Sequence, residues 1–180
     1  MSTHATIDIE TLGASPDTVV LTIGGIKFDP KAEDGMHSEF HHRLDADEQI
    51  AMGRSVDEKT IQWWETQPED VKNDAFSPEG RIPVEETLKA LNKWLVGVDK
   101  LWCQGPVFDI GIMQDLYTGI DLHWNWNFWD IRDSRTLFGL MPKDPRKEID
   151  FAAHNALADA IVQSLCIQRV YKSLGMNNEN

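Results

Sequence analysis

The 180-residue chain is short of basic charge: 17 Lys and Arg face 30 Asp and Glu, for a formal net charge of −13. A uniformly acidic surface repels phosphates, so a nucleic-acid partner is disfavoured unless some of the acids hold cations that reverse the local field. Cysteine is scarce. Cys103 and Cys166 form no metal-ligand spacing, read as core residues rather than reagents, and point to a reducing cytoplasm. No apolar run approaches the roughly 18 residues of a membrane span, and the N-terminus lacks the basic and apolar regions of a signal peptide. Repeats and low-complexity stretches are missing too. What remains is 41% hydrophobic with seven Trp, which suits one soluble, cytoplasmic domain over residues 1–180 with a sizeable core.

The pattern is that of an alternating α/β domain. His4, Thr6, Asp8 and Glu10 share one face of an extended strand, turned to a site, while Thr3, Ala5, Ile7 and Ile9 share the other and pack inward. A turn over Gly13 to Asp17 leads to a buried strand over Val19 to Asp29, rich in β-branched residues. Pro30 to Gly35 reads as a hairpin-type turn and Met36 to Leu44 as a third strand. Val56 to Glu65 and Pro68 to Phe76 form short helices divided by Pro68. From Pro83 at the first helical position, Val84, Leu88, Leu91 and Leu95 recur at helical spacing, with Gly97 as the stop. Lys100 to Gln104 is a strand, Pro106 to Tyr117 a helix, Phe128 to Arg132 a last strand, and Asn155 to Leu174 a long helix closed by Gly175. Together they predict a mixed β-sheet flanked by helices.

Acidic residues sit where these elements end. Two residues apart on a strand, Asp8 and Glu10 can serve one metal centre. Asp109 lies in the opening turn of the helix beginning Gly105-Pro106; it reads either as an acid favoured by the helix dipole or as a ligand beside a strand terminus. Asp159 is flanked by Ala156, Ala158 and Ala160, small neighbours that let a helix approach a sheet, where a metal or a basic partner must offset the desolvation of the acid. His154 precedes Asp159 by five residues, a rotation of roughly 140° on a straight helix, so His154 belongs on the approach loop or first turn. There an imidazole, ordinarily of pKa ~6.5, serves as a general base. Arg132, Arg135, Lys143, Arg146 and Lys147 cluster within sixteen positions, either a solvated face or a phosphate contact. Trp63 and Trp64 point about 100° apart on a helix, so one faces the core and the other is free to stack on a base. Trp124, Trp126 and Trp129 read as core or subunit-contact residues.

In this order, DIETLG, FD and H-x-x-x-x-D resemble the DEDDh branch of the DEDD 3′-to-5′ exonuclease superfamily, over most of the chain. SVDEKTIQWWETQ and RDSRTLFGL are similar to stretches of its small bacterial and phage members, the mycobacterial exoribonuclease type. The resemblance implies a ribonuclease H-like fold and two Mg²⁺ ions, with Mn²⁺ able to substitute. It implies that Asp8, Glu10 and Asp159 bind one metal and that Asp8 bridges to a second, with Asp109 helping through water. His154 would deprotonate the attacking water, and Thr11 and Leu12 would lie against the terminal nucleotide, with backbone groups near its 3′-OH. The implied partner is the 3′ end of single-stranded nucleic acid, RNA slightly favoured over DNA, with release of nucleoside 5′-monophosphates; a homodimer is left open. A DNA-specific exonuclease and a non-catalytic binding module are the alternatives, and the second ought to have lost one of the five site residues. Ser2, Thr3 and His4 ahead of Asp8, and Gln104 with Pro106 ahead of FD, depart from the usual pattern.

Overall fold

A computed structural model describes residues 2–32, 36–149 and 154–176. Strands β1 (His4–Thr11), β2 (Val20–Phe28), β3 (Met36–Leu44), β4 (Arg81–Ile82), β5 (Lys100–Cys103) and β6 (Ile131–Asp133) form one sheet in the order β4-β3-β2-β1-β5-β6. β1, β2 and β3 are antiparallel neighbours, whereas β5 runs parallel to β1 and β6 parallel to β5. The mixed sheet is thus the one expected, with β1 paired on both sides. Helices α1 (Ala46–Ala51), α2 (Glu58–Glu65), α3 (Glu69–Phe76), α4 (Val84–Trp94), α5 (Pro106–Gly119), α6 (Ser134–Gly139) and α7 (Ala156–Ser173) surround it.

Ala5, Ile7 and Ile9 pack inward as their alternation predicts, in a cluster with Leu88 and Leu91 of α4 and Ile112 and Met113 of α5. The opposite face of β1 is also covered. Thr6 Oγ1 accepts from Ser164 of α7 (2.7 Å), and His4 Nδ1 accepts from Trp102 Nε1 (3.0 Å). The expectation that all of His4, Thr6, Asp8 and Glu10 face a site is therefore corrected: α7 buries the first two, and only Asp8 and Glu10 reach the strand's open C-terminal end. Cys103 and Cys166 are buried on the two sides of the sheet, and burial pushes the Cys166 thiol up to about 11.

Other boundaries differ for local reasons. Phe128–Asp130 is a 3₁₀ turn ahead of β6 rather than strand, because the Asp130 carboxylate accepts from Lys100 Nζ (2.6 Å) and Asn127 Nδ2 (3.0 Å), tying the segment into a loop. Pro83 caps α4 instead of starting it. The short elements α1, α6 and β4, with six, six and two residues, fall below the length at which periodicity speaks. Residues 33–35 of the expected Pro30 to Gly35 turn lie outside the described residues. Trp124 and Trp126 pack against the core, while Trp129 is exposed with Phe128. Among the described residues no helix is long and apolar enough to cross a membrane.

A close approach between β2 and α7 fixes the site. A Cβ at Gly24 of β2 would stand 2.2 Å from the backbone of Ala156 and Leu157, so the first turn of α7 rests directly on the sheet. Asn155 caps that turn by accepting from Ala158 N (3.0 Å). Gly24→Ala must therefore lift α7, and we expect a loss of about 1–3 kcal/mol, the usual cost of overpacking, in urea denaturation. An unchanged midpoint would show that the helix does not sit there.

Candidate active site

Strand β1 ends beneath the start of α7, and this junction gathers the acids. Asp8, Glu10 and Asp159 present ligand oxygens that all lie within 4.8 Å of one another. Asp109, carried by the first turn of α5, stands beside the trio, 4% exposed; its own N–H donates to Gly105 O (3.3 Å). All four line one cavity of about 470 Å³, together with Thr11, Thr60, Trp63, Trp64, Gln104, Phe108, Arg135 and His154.

Backbone geometry sets the acids and the histidine. Gly105, with φ of +117°, turns the chain from β5 into α5 and so delivers Asp109. His154 also has a left-handed backbone, φ +68°, which lets its N–H turn toward Asp159 and donate to Oδ2 (2.8 Å). The approach loop expected for His154 is what the chain forms. Its ring meets Trp63 edge to face at 4.9 Å. Asp8 is oriented from behind: Gln163 Nε2 donates to its Oδ1 (3.1 Å), and Ser134 Oγ donates to Gln163 Oε1 (3.1 Å).

Burial raises the proton affinity of every acid in the group, and repulsion from the other acids adds to it at Asp8 and Glu10. Desolvation, then the charges of Asp109, Asp159 and Glu10, hold the Asp8 carboxyl well above the usual carboxylate range. Burial, with Asp159 and Asp109 nearby, pushes Glu10 up to about 8. Burial pushes Asp109 up to about 7 against the pull of nearby backbone N–H dipoles and the attraction of Arg135. Asp159 is raised by burial too, opposed chiefly by the His154 N–H. A site built only of crowded carboxylate oxygens and short of positive charge has the donor set of a hard divalent cation. The residues present fit such an ion.

Other expected contacts are distributed differently. Trp64 is 2% exposed, donates Nε1–H to the carbonyl of Thr11 (2.9 Å) and belongs to the core around Leu12, Val19 and Leu21. Trp64 is thus an anchored ring that still borders the cavity, while Trp63, 40% exposed, is the one with more surface to offer. Leu12 points into the same core, its N–H donates to Val19 O (2.9 Å) and its carbonyl accepts from Asp57 N (2.8 Å). The N–H of Leu12 is thereby engaged, while its carbonyl keeps a second lone pair that can accept from a hydroxyl. Thr11 lines the cavity, its hydroxyl donating to Gly13 O (2.7 Å). The basic cluster does not form one track: Arg146 pairs with Asp144 (2.6 Å) and Arg132 donates to the carbonyls of Trp129 and Ile131, leaving Arg135 as the only Lys or Arg among the cavity-lining residues. Sequence reasoning missed Gln163, although its i+4 spacing from Asp159 puts both on one helix face, and Phe108, next to Asp109.

Residues 3–171 match the model of the Rv2179c-like 3′-5′ exoribonuclease domain. No curated protein matches. The fold is that of ribonuclease H-like nucleases. The nuclease domain of 3′hExo, a DEDDh family member bound to rAMP, superposes with a TM-score of 0.63 at 12% identity, over 99% of this chain and 96% of that one. Cell-death related nuclease 4 gives 0.68 at 14% identity, over 97% and 65%. The zinc-bound form of the E. coli exonuclease I–ssDNA complex gives 0.70 at 13%, over 97% of this chain and 43% of the other. The chain thus spans less than two thirds of the last two.

The acids also make stability depend on pH. Glu10 and Asp109 bind protons more tightly in the folded protein, at about 8 and about 7, than at their ordinary values of 4.5 and 3.8. Across that interval the folded state carries the extra protons, so stability falls as pH rises. In chelator, the melting temperature should drop between about pH 5 and pH 8, and added Mg²⁺ should raise it most at the upper end. A flat profile in chelator, or an equal Mg²⁺ effect at both ends, would contradict the electrostatics described.

Proposed function

The chain belongs to the Rv2179c-like 3′-5′ exoribonuclease domain family, and from that premise we propose a two-cation 3′-to-5′ exonuclease of single-stranded nucleic acid, acting on RNA before DNA and releasing nucleoside 5′-monophosphates. The observation that carries the reading is the convergence of Asp8, Glu10 and Asp159 within 4.8 Å, with His154 tethered through its backbone to the last of them. Asp8, Glu10 and Asp159 would hold one Mg²⁺ or Mn²⁺, and Asp8 with Asp109 a second. Bound there, the ions would supply charge stabilisation to the attacking and leaving oxygens of an in-line displacement.

The rest of the chemistry belongs to the chain. His154 accepts a proton from the attacking water, and the Asp159 bond to its backbone and the Trp63 edge contact fix where its imidazole stands. Gln163 holds one oxygen of Asp8 and so directs the other into the cavity. Trp63 and Thr11 border the space for the terminal nucleotide, which enters unpaired because a duplex end must first unstack. RNA is favoured because the family is described as exoribonucleases and a relative of the same fold binds rAMP. A second copy of the chain as partner is supported only by Phe128 and Trp129, exposed 78% and 59%.

On end-labelled single-stranded RNA and DNA with Mg²⁺, we expect stepwise loss from the 3′ end, faster on RNA, abolished by chelator and blocked by a 3′-phosphate but not by a 5′ block. Asp8→Ala and Asp159→Ala should be inactive yet folded. His154→Ala should lose roughly 10²- to 10⁴-fold in rate while retaining Mn²⁺ affinity; if affinity collapsed as well, His154 would be a ligand instead of a base. Cleavage of a circular single strand would point to a nuclease of another kind.

A further inference from the structure

Arg135 stands out at the cavity. It is the one Lys or Arg on a wall otherwise supplied with carboxylates, on a chain of net charge −13. None of the ion pairs among the described residues includes it. Its Nη2 donates to the carbonyl of Gln104 (3.1 Å) and lies over Gly105, 3.8 Å from where a Cβ would be. That bond uses one of the five N–H groups of a guanidinium. The others have no acceptor among the described residues, and a guanidinium fork matches the oxygens of a phosphate.

Its position selects which phosphate. Arg135 is exposed and stands at the rim, above the turn that leads into α5, whereas Glu10 and Asp109 are buried and Asp8 is half-buried. If the 3′ nucleotide occupies the acidic floor, as the proposed function has it, the strand leaves the cavity in the 5′ direction and a rim cation meets a phosphate there. We infer that Arg135 forms a phosphate subsite for the substrate strand, gripping the phosphodiester on the 5′ side of the scissile bond. The inference rests on the exonuclease reading for the direction of the strand. The subsite explains how a strongly acidic protein admits a polyanion: the acids are offset by cations at the floor, and Arg135 supplies fixed positive charge where the next phosphate passes.

The side chain can be removed without dismantling its surroundings. The cap of α6 uses the backbone N–H of Arg135 and that of Thr136, both donated to Asp133, so Arg135→Ala keeps the cap and loses the Gln104 contact and the attraction for Asp109. The test pairs this variant with a substrate carrying one neutral methylphosphonate immediately 5′ of the scissile bond. We expect the wild type to lose about 10-fold or more in KM on that substrate and Arg135→Ala to lose as much on the ordinary one, since a charge-assisted bond has that strength. The two losses should not compound, and Arg135→Lys should recover part of the first. Compounding losses, or a wild type indifferent to the neutral linkage, would overturn the subsite. In a His154→Ala background, where turnover is slowed roughly 10²- to 10⁴-fold, anisotropy binding of a single-stranded oligonucleotide should show the slope of log Kd against log salt reduced by about 0.7 in Arg135→Ala. An unchanged slope likewise overturns it. A wild type that removes nothing from a 3′ end while the salt slope still falls would refute the exonuclease reading and the 5′ assignment, leaving Arg135 as a phosphate contact.

Discussion

Mutual repulsion among Asp8, Glu10, Asp109 and Asp159, brought together in one cavity, decides how stiff the surrounding framework has to be. Acids in that condition spread apart or take up protons unless the backbone holds them. Here the frame is stiff: β1 is paired on both sides in the middle of the sheet, α7 is pressed onto Gly24, and the turn at Gly105 fixes the start of α5. The interior clusters on both faces of the sheet keep those three pieces in register. Stability given up locally is the ordinary cost of a preformed cation site, recovered when the ion arrives.

The same constraint explains how an acidic chain can act on nucleic acid. Overall charge governs long-range approach, whereas the local field at the junction of β1, α5 and α7 is set by whatever offsets its acids. Arg135 is the chain's own contribution at the rim, and Trp63 offers an uncharged surface beside it. In the proposed reading, recognition would lean on stacking and on phosphate contacts near the 3′ end, because Arg132 and Arg146 are dispersed into local pairings.

How much of this was legible in the sequence depended on the range of the interaction. The alternation of β1 exposed its core face and its acid pair, because a period of two survives any packing. The long amphipathic α4 and the capped α7 were legible too, and the His154-to-Asp159 spacing correctly ruled out a shared helical face. It could not reveal the left-handed backbone that brings the His154 N–H to Asp159, since five residues can be joined in many ways. The polarity of His4 and Thr6 misled because their partners, Trp102 and Ser164, lie far along the chain. Which tryptophan is buried was decided by the carbonyl of Thr11 at a distance of 53 residues, and Leu12 was taken into the core with it. The basic run over 132–147 was visible as composition, while the separation of Arg135 from its neighbours is a property of the fold alone.

The crowded carboxylates are proposed to form a cation site at the seat of hydrolysis, and anomalous scattering from crystals soaked in Mn²⁺ would reveal it. A strong peak bounded by Asp8, Glu10 and Asp159 is expected, with a second touching Asp8 on the side of Asp109. Well-occupied manganese elsewhere with none at this cluster would contradict it.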